Sequence, residues 1–372
     1  MEARVKLTIC ANHSWPHTGG SEFVIQQIAE NMVQRGFECD ILSKSCKNDI
    51  VHNGVTIKSC GSGPTQFINQ LRVSDPDIVL VYSDFFKYWS IVLDRMDKTK
   101  FKVVLIPVGF NASLSDPSLL NLFLNKEKNI QVITHSNNYQ DYKLCEDYDI
   151  PVEVIPNGIN LNEFKKQNFS FRKKYRIETE KVILCVSNFF PGKGQEFTPK
   201  IFDTVYQDIK DFTVVFISST VEFRHAQQLR QRFKMQIKKH NFKYKMLSDI
   251  PREDVIQSYF ESDVFVLPSQ KEVAPIVILE SMAAGLPWIA MEVGNVNTLS
   301  GGFAITDYNN DINGNLTYTS GTFKNFVEAI KEILLSHETA AELSCAGIRR
   351  IENDLNWNKI SNKYYEVFTR IL

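Results

Sequence analysis

The chain has 372 residues, room for two to three domains of about 150 residues each, with 43% hydrophobic and 23% charged residues, ordinary for a globular protein. That length buries apolar cores without staples, which excludes a disulfide mini-protein. With 42 basic against 43 acidic side chains the net charge is −1, which excludes a general nucleic-acid coat and an acidic tail.

Short β-branched runs alternate with amphipathic stretches, the pattern of parallel α/β domains. In chain order, strands are predicted at Val5–Cys10, Cys39–Ser43, Asp77–Tyr82, Lys102–Pro107 and Ile130–Thr134. A helix is predicted from Ser21, read as its N-cap with Glu22 in the first turn, to Gly36 at the C′ position. The preceding segment, ANHSWPHTGGSEF, puts Gly19 and Gly20 where backbone can approach a ligand and helix N–H groups point outward. Alone, the glycine pair reads first as a plain tight turn, and His13 and His17 beside it as solvated loop histidines.

Past IPNGINLNEF (Ile155–Phe164) the pattern starts afresh. Strands are predicted at Val182–Ser187, Thr213–Ser218, Tyr244–Leu247, Val264–Leu267 and Trp288–Met291, with helices near Glu196–Tyr206, Glu222–His240, Arg252–Ser262 and Ile276–Ala284. Two doubly wound sheets in tandem is the economical fold, and ligands of such sheets bind at the carboxyl ends of strands.

Three segments carry chemistry. In VILCVSNFFPGKGQEF, Lys193 stands on a glycine-flanked loop after a strand, where an ammonium and a helix dipole can hold a phosphate, although the spacing is not that of a P-loop. An exposed turn lysine is the plain alternative. In LPSQKEVAPIVILESMAAGLPWIA, Glu272 lies on the approach to a helix and Glu280 in its second turn, so both carboxylates can face one site. Glu280 sits in the apolar run IVILESMAA, and burial there requires a partner, either structural or a ligand. From Arg224 to Lys245 the chain is cationic with no acidic residue, while Leu229, Phe233 and Ile237 recur on one helix side. A solvated helix face is the plain reading; an anionic membrane surface is the sharper one, ahead of nucleic acid.

The seven cysteines show no C-x-x-C pair and several lie in apolar runs, which suggests a reducing compartment. With no signal peptide and no long apolar span read from the sequence, the expectation is a cytoplasmic protein, with peripheral contact at the inner face of a membrane if Arg224–Lys245 makes it.

GGSE after the first strand, IPNGIN at the linker, the K-G loop, and E-x7-E from Glu272 to Glu280 followed by SMAAGLP together resemble the retaining group 1 glycosyltransferases of family 4, in order along nearly the whole chain. The resemblance implies a GT-B fold, two Rossmann-like doubly wound domains facing a central cleft: 1–165 for the acceptor, joined by a C-terminal helix 356–372, and 166–355 for a nucleotide sugar. It implies Glu272 and Lys193 as catalytic residues, with Lys193 at the diphosphate and Glu272 at the donor sugar. Donor binding would involve Gly19, Gly20, Asn188, the backbone of Val273, Ala274, Pro275, Ile276 and Val277, and Glu280 on the nucleotide ribose. No obligatory metal or cofactor is expected, and the acceptor is a glycan or a lipid-linked molecule. The chain departs from the family pattern at three places. Asn188 stands where an arginine is usual, Val273-Ala274-Pro275 replaces the usual aromatic-glycine or aromatic-proline pair, and the histidine common after a central strand of the first domain is missing, with none between residues 101 and 115. These departures leave two alternatives beside glycosyl transfer: an impaired nucleotide-sugar-binding partner subunit and a nucleotide-sugar epimerase of similar architecture.

Overall fold

The computed structural model describes the chain apart from residues 1–3, 17–18, 47, 62, 84–91, 93–100, 109–129, 220–223 and 312–315. The expectation for His17 lies outside the described residues. The chain divides into two units, one running to Gly158 and including Trp357–Leu372, the other comprising Ile159–Asn356.

The first unit is built on an eight-stranded sheet in the order β3-β4-β2-β1-β5-β6-β7-β8. Its strands are β1 (Lys6–Ala11), β2 (Glu38–Ser43), β3 (Ile50–His52), β4 (Val55–Ser59), β5 (Ile78–Ser83), β6 (Lys102–Pro107), β7 (Ile130–Thr134) and β8 (Val152–Val154). Only the β3–β4 pair is antiparallel. The parallel strands are covered on both faces, as the continuous apolar runs require: all six residues of β5 are buried. Helices α1 (Gly20–Gln34), α2 (Pro64–Ser74) and α3 (Gln140–Asp147) follow β1, β4 and β7.

The start of α1 differs from the sequence reading. Its N-cap is Gly19, with no side-chain cap, and Ser21 lies inside the first turn. Gly36 has φ +93°, the left-handed C′ conformation that glycine adopts without strain.

The second unit has an all-parallel six-stranded sheet in the order β11-β10-β9-β12-β13-β14. These strands are β9 (Lys181–Val186), β10 (Phe212–Ser218), β11 (Lys243–Ser248), β12 (Val264–Leu267), β13 (Trp288–Met291) and β14 (Gly302–Ile305). A small hairpin, β15 (Tyr308–Asn310) with β16 (Leu316–Tyr318), lies outside the sheet. The unit's helices are α4 (Phe171–Lys174), α5 (Thr198–Asp208), α6 (Arg224–Ile237), α7 (Arg252–Phe260), α8 (Ile276–Ala283), α9 (Ser320–Leu335) and α10 (His337–Asn353). One core joins β9, β10, β12 and β13 to apolar faces of α5, α6 and α9 through residues such as Phe202, Phe216, Phe233 and Phe326.

Residues 159–165 fold with the second unit because Phe164 packs its ring against Tyr259 and Phe260, at 5.7 and 5.8 Å, and Glu163 pairs with Arg252. The last helix, α11 (Trp357–Ile371), folds with the first unit. Its residues Trp357, Ile360, Tyr364, Val367 and Phe368 are buried, Arg35 donates to Asn362 Oδ1 at 2.6 Å, and Arg370 pairs with Glu153. Each unit is a Rossmann-like doubly wound domain, as the family resemblance implies.

All seven cysteines are free, and six of them are buried. Among the described residues, no helix is long and apolar enough to cross a membrane.

Candidate functional site

In the second sheet the strand order reverses between β9 and β12: from β9 the chain winds outward through β10 to β11, then returns to β12 and continues to β14. The loops leaving the carboxyl ends of β9 and β12 therefore splay apart and leave a crevice, the ligand position of open α/β sheets. Lys193 is on the first loop and Glu272 on the second, and the Lys193 ammonium donates to Glu272 Oε1 at 2.7 Å. Both side chains are mostly buried, 18% and 10% exposed, so the two charges depend on each other.

The glycines beside Lys193 set this arrangement. Gly192 and Gly194 have φ of +83° and +72°, and Gln270 N donates to Gly192 O at 2.7 Å, tying the two loops together. A Cβ on Gly194 would overlap the Pro268 carbonyl. Behind Glu272 the loop after β13 approaches as closely: a Cβ on Gly294, φ +58°, would overlap the Val273 carbonyl, and Asn295 N donates to that oxygen at 3.0 Å. Gly194→Ala and Gly294→Ala should therefore both destabilise the second unit, by about 1–3 kcal/mol. Gly294→Ala should also weaken any ligand held at Glu272, because its backbone is what moves. Denaturant melts of the two variants, with a nucleotide-sugar titration of each, check this; melting curves identical to wild type would refute it.

Pro275 is the N-cap of α8, and the first-turn residues Ile276 and Val277 are half-buried. Val273 and Pro275 are buried and Ala274 is partly exposed, so the backbone of 273–277 borders the crevice beside Glu272 at the positive end of the helix. Glu280 is buried on α8 with two partners: Arg252 Nη2 stands 2.5 Å from Oε1, and the Tyr259 hydroxyl donates to Oε2 at 2.8 Å. Arg252 Nε also donates to Glu163 Oε1 at 2.9 Å. Burial opposes the charge on Arg252, but the flanking Glu280 and Glu163 carboxylates outweigh it and hold the guanidinium firmly protonated. Burial next to Glu280 pushes the Tyr259 phenol well above its ordinary range, keeping it a donor.

Arg252 and Tyr259 escape sequence reasoning because each looks like an ordinary residue of an amphipathic helix. The only available signal was the demand that an apolar-flanked glutamate be paired. A carboxylate offers about four acceptor positions, so Glu280 keeps capacity for a ligand hydroxyl. Two further polar atoms near the crevice, Ser269 Oγ and Asn295 Oδ1, are buried with no hydrogen-bond partner among the described residues.

Asn188, at the end of β9, contributes no cation. Its Oδ1 accepts from Ser219 N at 2.8 Å, fixing the start of the loop after β10, and its carbonyl accepts from Gln195 Nε2 at 2.9 Å. Gly19 and Gly20 stand in the first unit at the start of α1, where the Glu22 carboxylate occupies the space a Gly19 side chain would fill. In that unit His135 is fully buried: Tyr82 Oη lies 3.2 Å from Nε2 and the Ile155 carbonyl 2.9 Å from Nδ1. Burial pulls its pKa down to about 4, so it is a neutral structural histidine.

The segment carrying the crevice matches a known family. Residues 167–350 match the glycosyl transferases group 1. The N-acetyl-alpha-D-glucosaminyl L-malate synthase of Bacillus anthracis is 26% identical over 209 residues, 54% of this chain and 52% of that protein, so the chain matches about half the length of that curated relative. Among solved structures, sucrose-phosphate synthase from Thermosynechococcus elongatus superposes with a TM-score of 0.79 at 17% identity, covering 99% of each chain. The Anabaena protein HepE, solved with UDP-glucose, superposes with a TM-score of 0.77 at 15% identity, covering 99% of this chain and all of that one. At these identities the structural likeness is one of fold.

Proposed function

We propose that the chain is a retaining glycosyltransferase that moves a sugar from a nucleotide-sugar donor to a glycan or lipid-linked acceptor. The observation that carries this reading is the Lys193–Glu272 pair at the β9/β12 switch point, with Glu280 on the helix that follows. It is supported by the group 1 match over this unit and by the UDP-glucose complex of a protein of the same fold.

The proposed chemistry follows from the geometry. Negative charge grows on the departing diphosphate as the glycosidic bond breaks, and Lys193 with the N-terminus of α8 meets it inside a largely dehydrated crevice. Glu272 orients the Lys193 ammonium and is placed to accept from a donor-sugar hydroxyl. Glu280, held by Arg252 and Tyr259, offers its remaining acceptor positions to the ribose. Holding the acceptor oxygen on the face from which the diphosphate departs gives retained configuration and supplies the proximity term.

A thermal-shift panel of nucleotide sugars tests the reading. At about 100 times Kd a true donor adds roughly 2.7 kcal/mol of stability and raises Tm by several degrees. Incubation with and without an acceptor pool then separates transfer from epimerisation and from binding without turnover. A panel in which no nucleotide sugar raises Tm would sink the proposal.

A further inference from the structure

The cations of α6 are segregated from the rest of the chain's charge. From Arg224 to Ser248 the sequence carries eight Lys and Arg and no Asp or Glu, so elsewhere 34 basic side chains stand against 43 acidic ones, a net of −9. Helix α6 turns Ala226, Phe233 and Ile237 into the core of the second unit. At about 100° per residue, the direction opposite that stripe falls on Met235, which is 60% exposed. Arg224, Arg232, Lys238 and Lys239 surround it, all exposed, and Lys234 extends the patch on one flank. The sheet-edge strand β11, which follows, adds exposed Lys243 and half-buried Lys245.

None of these seven cations forms an ion pair among the described residues. Surface cations elsewhere in the same unit do find carboxylates: Lys324 pairs with Glu328, Lys331 with Asp208 and Arg350 with Asp354. Lys234 and Lys238, four residues apart on one side of the helix, repel each other, so the row opposes local stability. Such a row fits a broad anionic partner. An apolar tip ringed by cations matches a bilayer surface, with Lys and Arg at the phosphates and the Met235 thioether reaching toward the acyl boundary. Bases would have nothing exposed to stack on, because Phe233 and Phe242 are buried and Tyr244 is half-buried. The remainder of the chain, at −9, is repelled by the same surface, so the patch also sets the orientation of the docked unit.

We propose that the outward face of α6 docks the second unit on an anionic phospholipid surface, with Met235 at the centre of contact. This does not depend on the sugar-transfer reading. The test is cosedimentation with vesicles of phosphatidylcholine, with and without phosphatidylglycerol, at low and moderate salt. Wild type should bind only the vesicles containing phosphatidylglycerol, and less as salt rises. Each Lys or Arg near such a surface strengthens binding about fivefold, so Arg232→Gln/Lys238→Gln/Lys239→Gln should weaken it about 10²-fold. Arg72→Gln/Lys143→Gln/Lys166→Gln removes the same charge at exposed positions outside the patch and should stay within about twofold of wild type. Met235→Gln should weaken binding several-fold with every charge in place. All seven substitutions are at exposed positions, and melting curves check that the fold is kept. Equal losses in the two triple variants overturn the proposal, since net charge alone would then act. Wild type that ignores the phosphatidylglycerol vesicles at low salt, or binds duplex DNA more tightly than those vesicles, also overturns it.

Discussion

Lys193→Ala should lower turnover by about 10² or more, by analogy with removal of a donor aimed at developing charge. The ammonium stands at the switch point of the second sheet, 2.7 Å from Glu272, on a loop that two left-handed glycines hold against β12. If it acts on the leaving diphosphate, kcat and kcat/KM fall together, because the interaction strengthens as the bond breaks. If it only holds Glu272 in place, Lys193→Gln, whose neutral amide still donates to Glu272, restores the pairing and the rate alike. Steady-state kinetics of both variants decide: unchanged kcat in Lys193→Ala would remove Lys193 from the chemistry, and full recovery in Lys193→Gln would make it a positioning residue.

The second large effect is expected at Arg252. Arg252→Met strips the cation from Glu280, whose side chain is only 7% exposed, and leaves the Tyr259 hydroxyl as its one remaining hydrogen-bond partner among the described residues. Removing one member of a buried ion pair costs about 3–5 kcal/mol, because the other charge stays in a poorly solvated place. For a unit of this size that is a fall in Tm of roughly 6 °C or more. Arg252→Met combined with Glu280→Gln should recover part of the loss, since the neutral amide still accepts from Tyr259. A single variant that melts like wild type would show that Glu280 is sufficiently solvated without its arginine. Because Glu280 is also the proposed ribose acceptor, Arg252→Met should raise the KM for the donor more than it lowers kcat.

Much of the fold was legible because parallel strands covered on both faces must be continuous apolar runs. Val79–Val81 and Val214–Phe216 announce themselves by composition, and each is fully buried or nearly so. The short elements were not legible. Ile50–His52 and Val152–Val154 have three residues each, too few to show a period, and exist because a neighbouring strand offers them a ladder. Ser21 looked like a cap by residue type, but the helix begins at Gly20, with extended Gly19 as its N-cap and no side-chain cap.

The candidate site divides in the same way. By itself the sequence determined which residues stand out as candidates: a lysine between glycines, a glutamate before a helix, and a glutamate misplaced in an apolar run. Those are local facts, set by residue type and spacing. Only the tertiary structure decided that Lys193 and Glu272, 79 positions apart, form an ion pair and that Arg252 and Tyr259 hold Glu280. The physical reason is the winding of the second sheet. A strand order that reverses between β9 and β12 gathers four loops, far apart in the chain, at one end of the sheet, and no periodicity in the chain encodes that gathering.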